Sequence, residues 1–379
     1  MLLDLDETLF HQGAATFDSA LISDHRFYDR STWTTFSPDG SVGLLSGMAV
    51  YKNLNLAEGF ASIQARGKQH NLRLSRPLRP MKGGMSLEVG PLRTEWLEPH
   101  RKTRFVCEPG AEGDGFDITF RPSVAPYLEA HHYGKSDGRV HTDYWRFDNV
   151  GWTNGHIVVG GVEHRIDNWF GWRDHSWGVR PGVGGFEPYT GTRSDGGLPS
   201  SIMSGGLGMV LLYLGFATPG YGGFFQLKED ENGKRFYMHG SVGAVDQAPV
   251  EVVDVQYELK MVPGTRLFSH ARLLLTSADG KQWDFEVESV GRSWAYKGTG
   301  YDRGYNDEKG QGIWRGNDLT VERDIYDISD VEEVVLPDGR HLRPRHREQP
   351  VRVKVNGEAG FGHFPFVIIG RNARLGVAA

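Results

Sequence analysis

Cysteine is nearly absent from this chain. Its single cysteine, Cys107, excludes an internal disulfide framework and a thiolate metal cluster, and it is typical of a protein from the reducing cytosol. Long apolar runs are missing too, since the most apolar stretch, Met209–Ala217, is far shorter than the ~20 residues that cross a bilayer. The first ten residues have three acidic side chains and no basic one, unlike a secretory signal. We therefore expect a cytoplasmic protein with no membrane span.

An excess of positive charge is also lacking. The 48 acidic and 42 basic residues give a net charge of -6, which provides no basic field for a phosphate backbone, so we expect no nucleic-acid partner. No long amphipathic helix and no short-period repeat is recognisable. Residues 4–8 spell the D-x-D-x-T signature of haloacid-dehalogenase-like phosphatases, but only three residues precede it and no alternation of strands and helices follows.

Glycine and aromatic residues are plentiful. The chain has 51 glycines without a collagen period, and 12% of its residues are aromatic, a composition typical of many tight turns between strands. Residues 253–261 alternate between apolar and polar side chains, which predicts a strand with one wet face. Gly160-Gly161 and Asn356-Gly357 each separate two such runs and predict hairpins. The pattern predicts an all-β fold of antiparallel barrels or sandwiches.

The length predicts two domains. Residues 181–200 contain six glycines and three prolines, a composition typical of a segment that crosses between compact units. We predict an N-terminal segment at 1–25, a first β domain at 26–180, a crossing segment at 181–200 and a second β domain at 201–379.

The chemistry is concentrated in one decapeptide, 171–180, which reads G-W-R-D-H-S-W-G-V-R. Side chains alternate along a strand, so Arg173, His175 and Trp177 should share one face, and the other face should have Trp172, Asp174 and Ser176. An imidazole can give or take a proton near neutral pH, and an indole can wall an apolar pocket. The competing interpretation is structural, because Asp, Ser and His also fix turns and Trp often fills a core beneath a bend.

Two further groups of residues are weighed as site candidates. Tyr189 and Tyr213 have polar-tipped side chains in or near strands of the second half, and either could line a cavity. His131, His132 and His141 match no common zinc spacing. We predict no metal and no cofactor.

The segment 173–178, together with the Gly160-Gly161 hairpin before it, resembles the signature of the carotenoid 1,2-hydratase (hydroxyneurosporene synthase) and AttH-like superfamily. The similarity runs from about residue 28 to the glycine-rich final hairpin near residues 355–370. It implies two lipocalin-like β-barrels in tandem. It also implies that His175 and Trp177 occupy the positions of the family's functional His and Trp, and that Asp174 matches the adjacent family Asp.

These observations predict a cofactor-independent acid–base enzyme of the lyase, hydratase or isomerase type, with retro-aldol C–C cleavage included. Its substrate would be a hydrophobic aromatic or terpenoid small molecule bound between the barrels. His175 would be the general acid or base with support from Asp174, Arg173 or Arg180 would hold an oxyanion, and Trp172 and Trp177 would wall the pocket. The alternative is a lipocalin-like carrier of an apolar ligand that performs no reaction. A homodimer is compatible with either function.

Overall fold

The fold was analysed in a computed structural model. The structure describes residues 7, 9, 14–81, 84–110, 113–136, 138–185, 208–330, 332–344 and 346–377. Strands dominate these ranges, and no described helix reaches seven residues. Short 3₁₀ turns occur at Lys52–Leu54, Val183–Gly185, Tyr296–Thr299 and Ala373–Leu375. No helix in the described ranges has the length and apolar character needed to span a membrane.

The first half of the chain forms twelve strands. They are β1 (Phe27–Phe36), β2 (Val42–Tyr51), β3 (Leu56–Ala65), β4 (Lys68–Pro77), β5 (Ser86–Val89), β6 (Leu92–Glu98), β7 (Lys102–Cys107), β8 (Gly115–Pro122), β9 (Tyr127–Leu128), β10 (His132–Ser136), β11 (Arg139–Val159) and β12 (Val162–Val179).

The described part of the second half of the chain forms another twelve strands. They are β13 (Met209–Ala217), β14 (Tyr221–Asp230), β15 (Arg235–Ala244), β16 (Val250–Met261), β17 (Phe268–Ser277), β18 (Gln282–Ser289), β19 (Trp294–Ala295), β20 (Thr320–Asp327), β21 (Val334–Val335), β22 (His341–Leu342), β23 (His346–Val355) and β24 (Glu358–Ile369).

The first unit is one large antiparallel sheet. Its order is β22-β21-β20-β4-β3-β2-β1-β12-β11-β8-β7-β6-β5, with β9 and β10 also paired to β11. The sheet curls so that β1–β4 and β5–β8 contribute side chains to a single apolar core. Strands β20–β22 come from the second half of the chain but hydrogen-bond to this sheet through β4.

The second unit is a closed antiparallel barrel of eight strands. Strands β13–β18 follow one another in order, β24 and β23 come next, and the pairing of β18 with β23 closes the ring. Closure gives each of the eight strands a hydrogen-bonded neighbour on both sides, so the ring has no edge strand. The barrel interior is filled by buried aliphatic and aromatic side chains, among them Phe216, Phe225, Phe285 and Phe364.

A third apolar cluster joins the two units. Trp172 of β12 and Phe170 beside it belong to the same buried group as Tyr213 and Phe224 of the barrel, and Trp294 completes it. Strand β12, together with the neighbouring β11, therefore lies where the first sheet meets the barrel, and the chemistry of the decapeptide lies at this junction.

The all-β prediction is confirmed, and so are the hairpins at Gly160-Gly161 and Asn356-Gly357, where all four residues have positive φ. The boundaries of the two domains stay a prediction, because residues 186–207 lie outside the described part of the chain. The pairing of β20 with β4 shows that a segment from the second half contributes to the first sheet.

Candidate functional site

Strand β12 separates two cavities. On one face lies a space of about 310 Å³ between the sheet and the barrel, lined by Trp172, Asp174 and Ser176; we call it the inner cavity. On the other face lies an open space of about 820 Å³, lined by Arg173, His175 and Trp177; we call it the outer cleft. The alternation expected from the decapeptide is present, and it divides the candidate residues between two sites.

The Trp172 indole forms the wall of the inner cavity that faces the barrel. A Cβ at Gly215 of β13 would lie 2.8 Å from the nearest indole atom, so a side chain there would displace the ring. Trp172 meets the Tyr213 ring edge-on at 4.6 Å and the His363 ring at 5.3 Å. The close approach of β13 thus fixes the indole against the polar groups of the barrel.

A buried network of acids stands behind this wall. Tyr213 donates its hydroxyl proton to Asp148 Oδ1 at 2.5 Å and also lies 3.2 Å from Glu129 Oε1. The Trp172 indole donates to the same Asp148 oxygen at 2.9 Å. Arg146 donates to both oxygens of Glu129 at 2.7 and 2.9 Å. Tyr213 thus connects two buried carboxyl groups to the inner cavity, because its own side chain lines that cavity.

The surroundings drive the pKa values of these two carboxyl groups apart. Burial alone would raise the pKa of Glu129, but Arg146 and His132 lower it well below the usual value. Burial raises the pKa of Asp148 well above its usual value, and the Glu129 carboxylate raises it further. Glu129 is therefore the carboxyl group of the pair that ionises more readily, and Asp148 is the one that keeps its proton more strongly.

Asp174 lies directly opposite Asp148 in the β11–β12 pairing, so both side chains point to the inner face. Asp174 Oδ1 accepts hydrogen bonds from the hydroxyl and the backbone N–H of Thr32. Support of His175 by Asp174, expected from the sequence, is not what the structure shows, since the two side chains leave opposite faces of the strand.

A second carboxylate comes from the barrel side. Glu348 of β23 is held between His346 and His363, whose Nε2 atoms lie 2.6 and 2.9 Å from its two oxygens. Burial would raise the pKa of Glu348, but the two imidazoles lower it to about 2. All three residues line the inner cavity, which therefore has an ionised carboxylate beside a pair of imidazoles and, behind Tyr213, a carboxyl group whose pKa is raised.

The outer cleft contains a histidine with a different carboxylate. His175 Nε2 lies 2.7 Å from Asp29 Oδ1, with 25% and 41% of the two side chains exposed. The His175 ring meets the rings of Phe147 and Trp177 edge-on at 5.2 and 5.3 Å. Asp29 and His175 also border a neighbouring space of about 770 Å³ inside the first sheet. The imidazole predicted to be catalytic does face a cavity with apolar walls.

Arg173 is the buried cation of the outer cleft. Its Nε donates to Ser31 Oγ at 3.2 Å, and its guanidinium lies 5.3 Å from the centre of the Phe147 ring. No carboxylate among the described residues forms an ion pair with it. Burial lowers the pKa of Arg173 to about 10, and Asp174 opposes this shift.

The sequence candidates are thus distributed as follows. Trp172, Asp174, Arg180 and Tyr213 line the inner cavity, and Arg173, His175 and Trp177 line the outer cleft. Tyr189 lies outside the described residues. Sequence reasoning missed Glu129, Asp148 and Glu348, which no local motif marks, and it missed Asp29, which a pairing of β1 with β12 could have suggested.

Metal ligands are not grouped in the described ranges. No set of three or more His, Cys, Asp or Glu residues there has a geometry that could hold a metal ion. His131 pairs with Asp143 at 2.7 Å, and His132 with Glu129 at 2.5 Å. These two histidines therefore have protein partners within the first unit.

Comparison with solved structures gives the same fold at low sequence identity. A Nitrosomonas europaea protein described as an AttH aligns over 94% of this chain and 97% of its own, with 12% identity and a TM-score of 0.52. Kievitone hydratase from Nectria haematococca aligns over 90% and 88%, with 10% identity and a TM-score of 0.40. CghA with Sch210972 aligns over 90% and 88%, with 13% identity and a TM-score of 0.44. The first of these alignments shows that the chain has an AttH-like fold.

Sequence comparisons give a family without an assigned activity. A search of curated proteins finds no match. The model of a family of unknown function, DUF8625, matches residues 2–378. The chain, an all-β protein with an AttH-like fold, therefore belongs to the family DUF8625.

Proposed function

We propose that this protein is a cofactor-independent acid–base enzyme of the lyase, hydratase or isomerase type, and that it acts on an aromatic or terpenoid small molecule in the inner cavity. One observation carries the proposal: the buried carboxyl group of Asp148, whose pKa is raised, is hydrogen-bonded to Tyr213, a residue that lines a cavity between the two units. Titratable groups with pKa values shifted in opposite directions, beside a cavity, are typical of sites of proton transfer.

Tyr213 is the group that would touch the substrate. The Tyr213 hydroxyl oxygen lies 2.5 Å from Asp148 Oδ1. When a protonated Asp148 is the donor in this hydrogen bond, the Tyr213 proton is free to go to a substrate carbon or leaving oxygen, and the Asp148 proton moves to the Tyr213 oxygen in its place. The ring of Tyr213 lies 4.5 Å from the Arg146 guanidinium, whose positive charge lowers the cost of negative charge on the phenol oxygen. Asp148 and Arg146 therefore act through Tyr213 as positioning residues.

The imidazoles beside Glu348 supply a proton acceptor, which is the function opposite to that of Tyr213. The ionised carboxylate of Glu348 lies 2.6 Å from His346 Nε2, and in the tautomer with its proton on Nε2 the ring keeps Nδ1 as its acceptor. His346 can then accept a proton from a water molecule or a substrate hydroxyl in the same cavity. The inner cavity thus offers a donor and an acceptor, which addition or loss of water, double-bond migration and C–C cleavage all require. Its aromatic walls at Trp172 and Tyr296 suit an apolar substrate.

The outer cleft supports a second candidate site for the same class of reaction. If the His175 ring donates from Nε2 to Asp29, then Nδ1 is left as the acceptor for a ligand against Phe147 and Trp177. Catalysis by His175 stays a prediction, because the histidine and its carboxylate are partly exposed, whereas the groups around Tyr213 are buried. A carrier function of the lipocalin type has less support, since buried core side chains fill the barrel.

Deuterium uptake tests the proposal even while the chemical identity of the product is open. The wild-type protein is incubated in D₂O with a panel of prenylated phenols and terpene alkenes, and incorporation of deuterium at carbon is followed by mass spectrometry. We expect Tyr213→Phe to lower the rate of incorporation ~10²–10⁴-fold, and His175→Gln to change it little. Loss of incorporation in His175→Gln with full activity in Tyr213→Phe would move the reaction to the outer cleft. No incorporation from any compound, with binding retained, would favour the carrier.

A further inference from the structure

We propose that the ligand of the inner cavity has a carboxylate or phosphate group, and that Arg30, Arg180 and Lys228 bind this oxyanion. The inference rests on the proposed function only in identifying the ligand with the substrate. The three cations come from β1, from the residue after β12, and from β14, and all three line the inner cavity. Of these three cations, the sequence suggested Arg180 for this role, and Arg173, the other arginine that it suggested, lines the outer cleft.

The guanidinium of Arg30 is buried, and some of its N–H donors have no acceptor in the protein. Its Nη1 donates to the side chain of Gln311 at 3.0 Å, but its Nη2 is buried and has no hydrogen-bond partner. The guanidinium carbon lies 4.4 Å from the centre of the Tyr301 ring and 5.4 Å from that of Phe60. A buried donor without an acceptor costs free energy, and an oxyanion in the cavity would remove this cost.

Arg180 and Lys228 add two more charges around the same space. The Arg180 guanidinium lies 5.5 Å from the ring centres of both Tyr28 and Tyr301, so Tyr301 contacts Arg30 and Arg180 together. Lys228 Nζ lies 4.7 Å from the centre of the Tyr237 ring. Burial lowers the pKa of Lys228 to about 8, and Arg146 lowers it as well. Aromatic rings stabilise these cations, but no ring neutralises them.

Two of the three acidic residues that line the inner cavity are otherwise engaged. Asp174 is bonded to Thr32, and Glu348 is held by His346 and His363. Asp302 also borders the cavity. Within the described ranges, no carboxylate lies at ion-pair distance from Arg30, Arg180 or Lys228. Arg146, the fourth cation of the lining, differs because Glu129 pairs with it.

Three cations without ion-pair partners in one partly enclosed space lower the stability of the protein when no ligand is bound. Guanidinium groups bind carboxylate and phosphate oxygens through pairs of parallel N–H bonds, and the lysine adds a mobile point charge. The aromatic residues between them, Tyr144, Tyr296 and Tyr301, suit the apolar body of the same ligand. The chemistry of the lining therefore fits an aromatic or isoprenoid acid better than a neutral hydrocarbon.

Calorimetric titration with three matched probes tests this proposal. The probes are 2-naphthoate, 2-naphthyl phosphate and the neutral 2-naphthamide, each titrated into the full-length protein. We expect the carboxylate, the phosphate or both to bind, and the amide to bind about tenfold more weakly or worse. Arg30→Gln, Arg180→Gln and Lys228→Gln should each weaken the anion about tenfold or more and leave the amide unchanged. Which of the two anions binds more tightly decides between a carboxylate and a phosphate.

Matched controls make the result decisive. Lys281→Gln removes a cation that lies 3.7 Å from the Trp283 ring centre on the barrel, away from the cavity, and it should leave anion affinity unchanged. Arg180→Lys keeps the charge and should retain much of the binding, which separates charge from folding. These titrations measure binding alone and need no turnover, so a failure of the catalytic proposal would not affect this test. Equal affinity for the amide and both anions, or full anion affinity in the Gln variants, would overturn the proposal.

Discussion

The two faces of β12 differ in how their ionisable groups are held. On the outer face, His175 and Asp29 are partly exposed and form one ion pair. On the inner face, Asp148 and Glu129 are buried, share Tyr213 as a hydrogen-bond partner, and have pKa values shifted in opposite directions. His175, the residue that the sequence marks most clearly, therefore lies in the more exposed of the two environments. Burial, rather than the presence of an imidazole, distinguishes the site that we favour.

Removal of the Asp148 carboxyl group should lower turnover far more than removal of the matched carboxyl group on the outer face. Asp148→Asn keeps the shape of the side chain but cannot return a proton to Tyr213, and we expect a loss of turnover of about 10²-fold. Asp29→Asn, the matched change on the outer face, should alter turnover much less. Rates of deuterium incorporation for the two variants make the comparison. A larger loss in Asp29→Asn would reverse the assignment of the two faces.

The same inner variant should gain stability relative to the wild type as pH rises. The pKa of Asp148 is raised in the folded state, so its contribution to stability is complete below the unfolded pKa near 4 and is lost as pH rises toward the folded pKa. Asp148→Asn has no carboxyl group at this position, so this loss of stability as pH rises does not occur in the variant. Urea unfolding at pH 4 and pH 7 should therefore show the variant gaining on the wild type as pH increases. A difference in unfolding free energy between the variant and the wild type that does not change with pH would contradict this reasoning.

The two tryptophans of the decapeptide offer a packing comparison. Trp172 is buried, donates to Asp148 and fills the space opposite Gly215, so Trp172→Phe should lower the free energy of unfolding by about 2 kcal/mol. Trp177→Phe on the outer face should cost about 0.5 kcal/mol or less. Chemical denaturation of both variants measures the difference. Equal costs would mean that the inner face is packed no more tightly than the outer one.

The smallest effect is expected from the outer ion pair. The side chains of His175 and Asp29 are 25% and 41% exposed, so solvent screens their attraction and His175→Gln should cost about 1 kcal/mol or less. Added salt should reduce even this cost in the wild type. A much larger loss of stability would show that His175 has a structural role that its exposure does not reveal.

The sequence predicted the fold because its signals were local. Alternating side chains and paired glycines identify strands and hairpins, and the alternation in 172–177 correctly placed neighbouring residues on opposite faces. One strand shows the limit of this reasoning. The pattern put Val253 on the same face as Val255, but a register shift between Val252 and Asp254 leaves Val253 48% exposed.

The site was less predictable because its members meet through long-range pairing. Counting from the Gly160-Gly161 turn would put Phe147 opposite Asp174, but an irregularity between Thr153 and Gly155 shifts the register and brings Asp148 there instead. Glu129 and Tyr213 are separated by 84 positions and come from different units. No spacing rule in one sequence connects such residues, and their shifted pKa values arise only from burial in the folded state.

The protonation state of Asp148 is the most direct test of the account. Infrared difference spectra at pH 7, with ¹³C-labelled aspartate in the wild type and in Asp148→Asn, report the stretching band of a neutral carboxylic acid. We predict a protonated-carboxyl band in the wild type that shifts with the label and is missing from the variant. A wild-type spectrum without that band, or one identical to the variant, would show that Asp148 is ionised and that Tyr213 has no proton reserve.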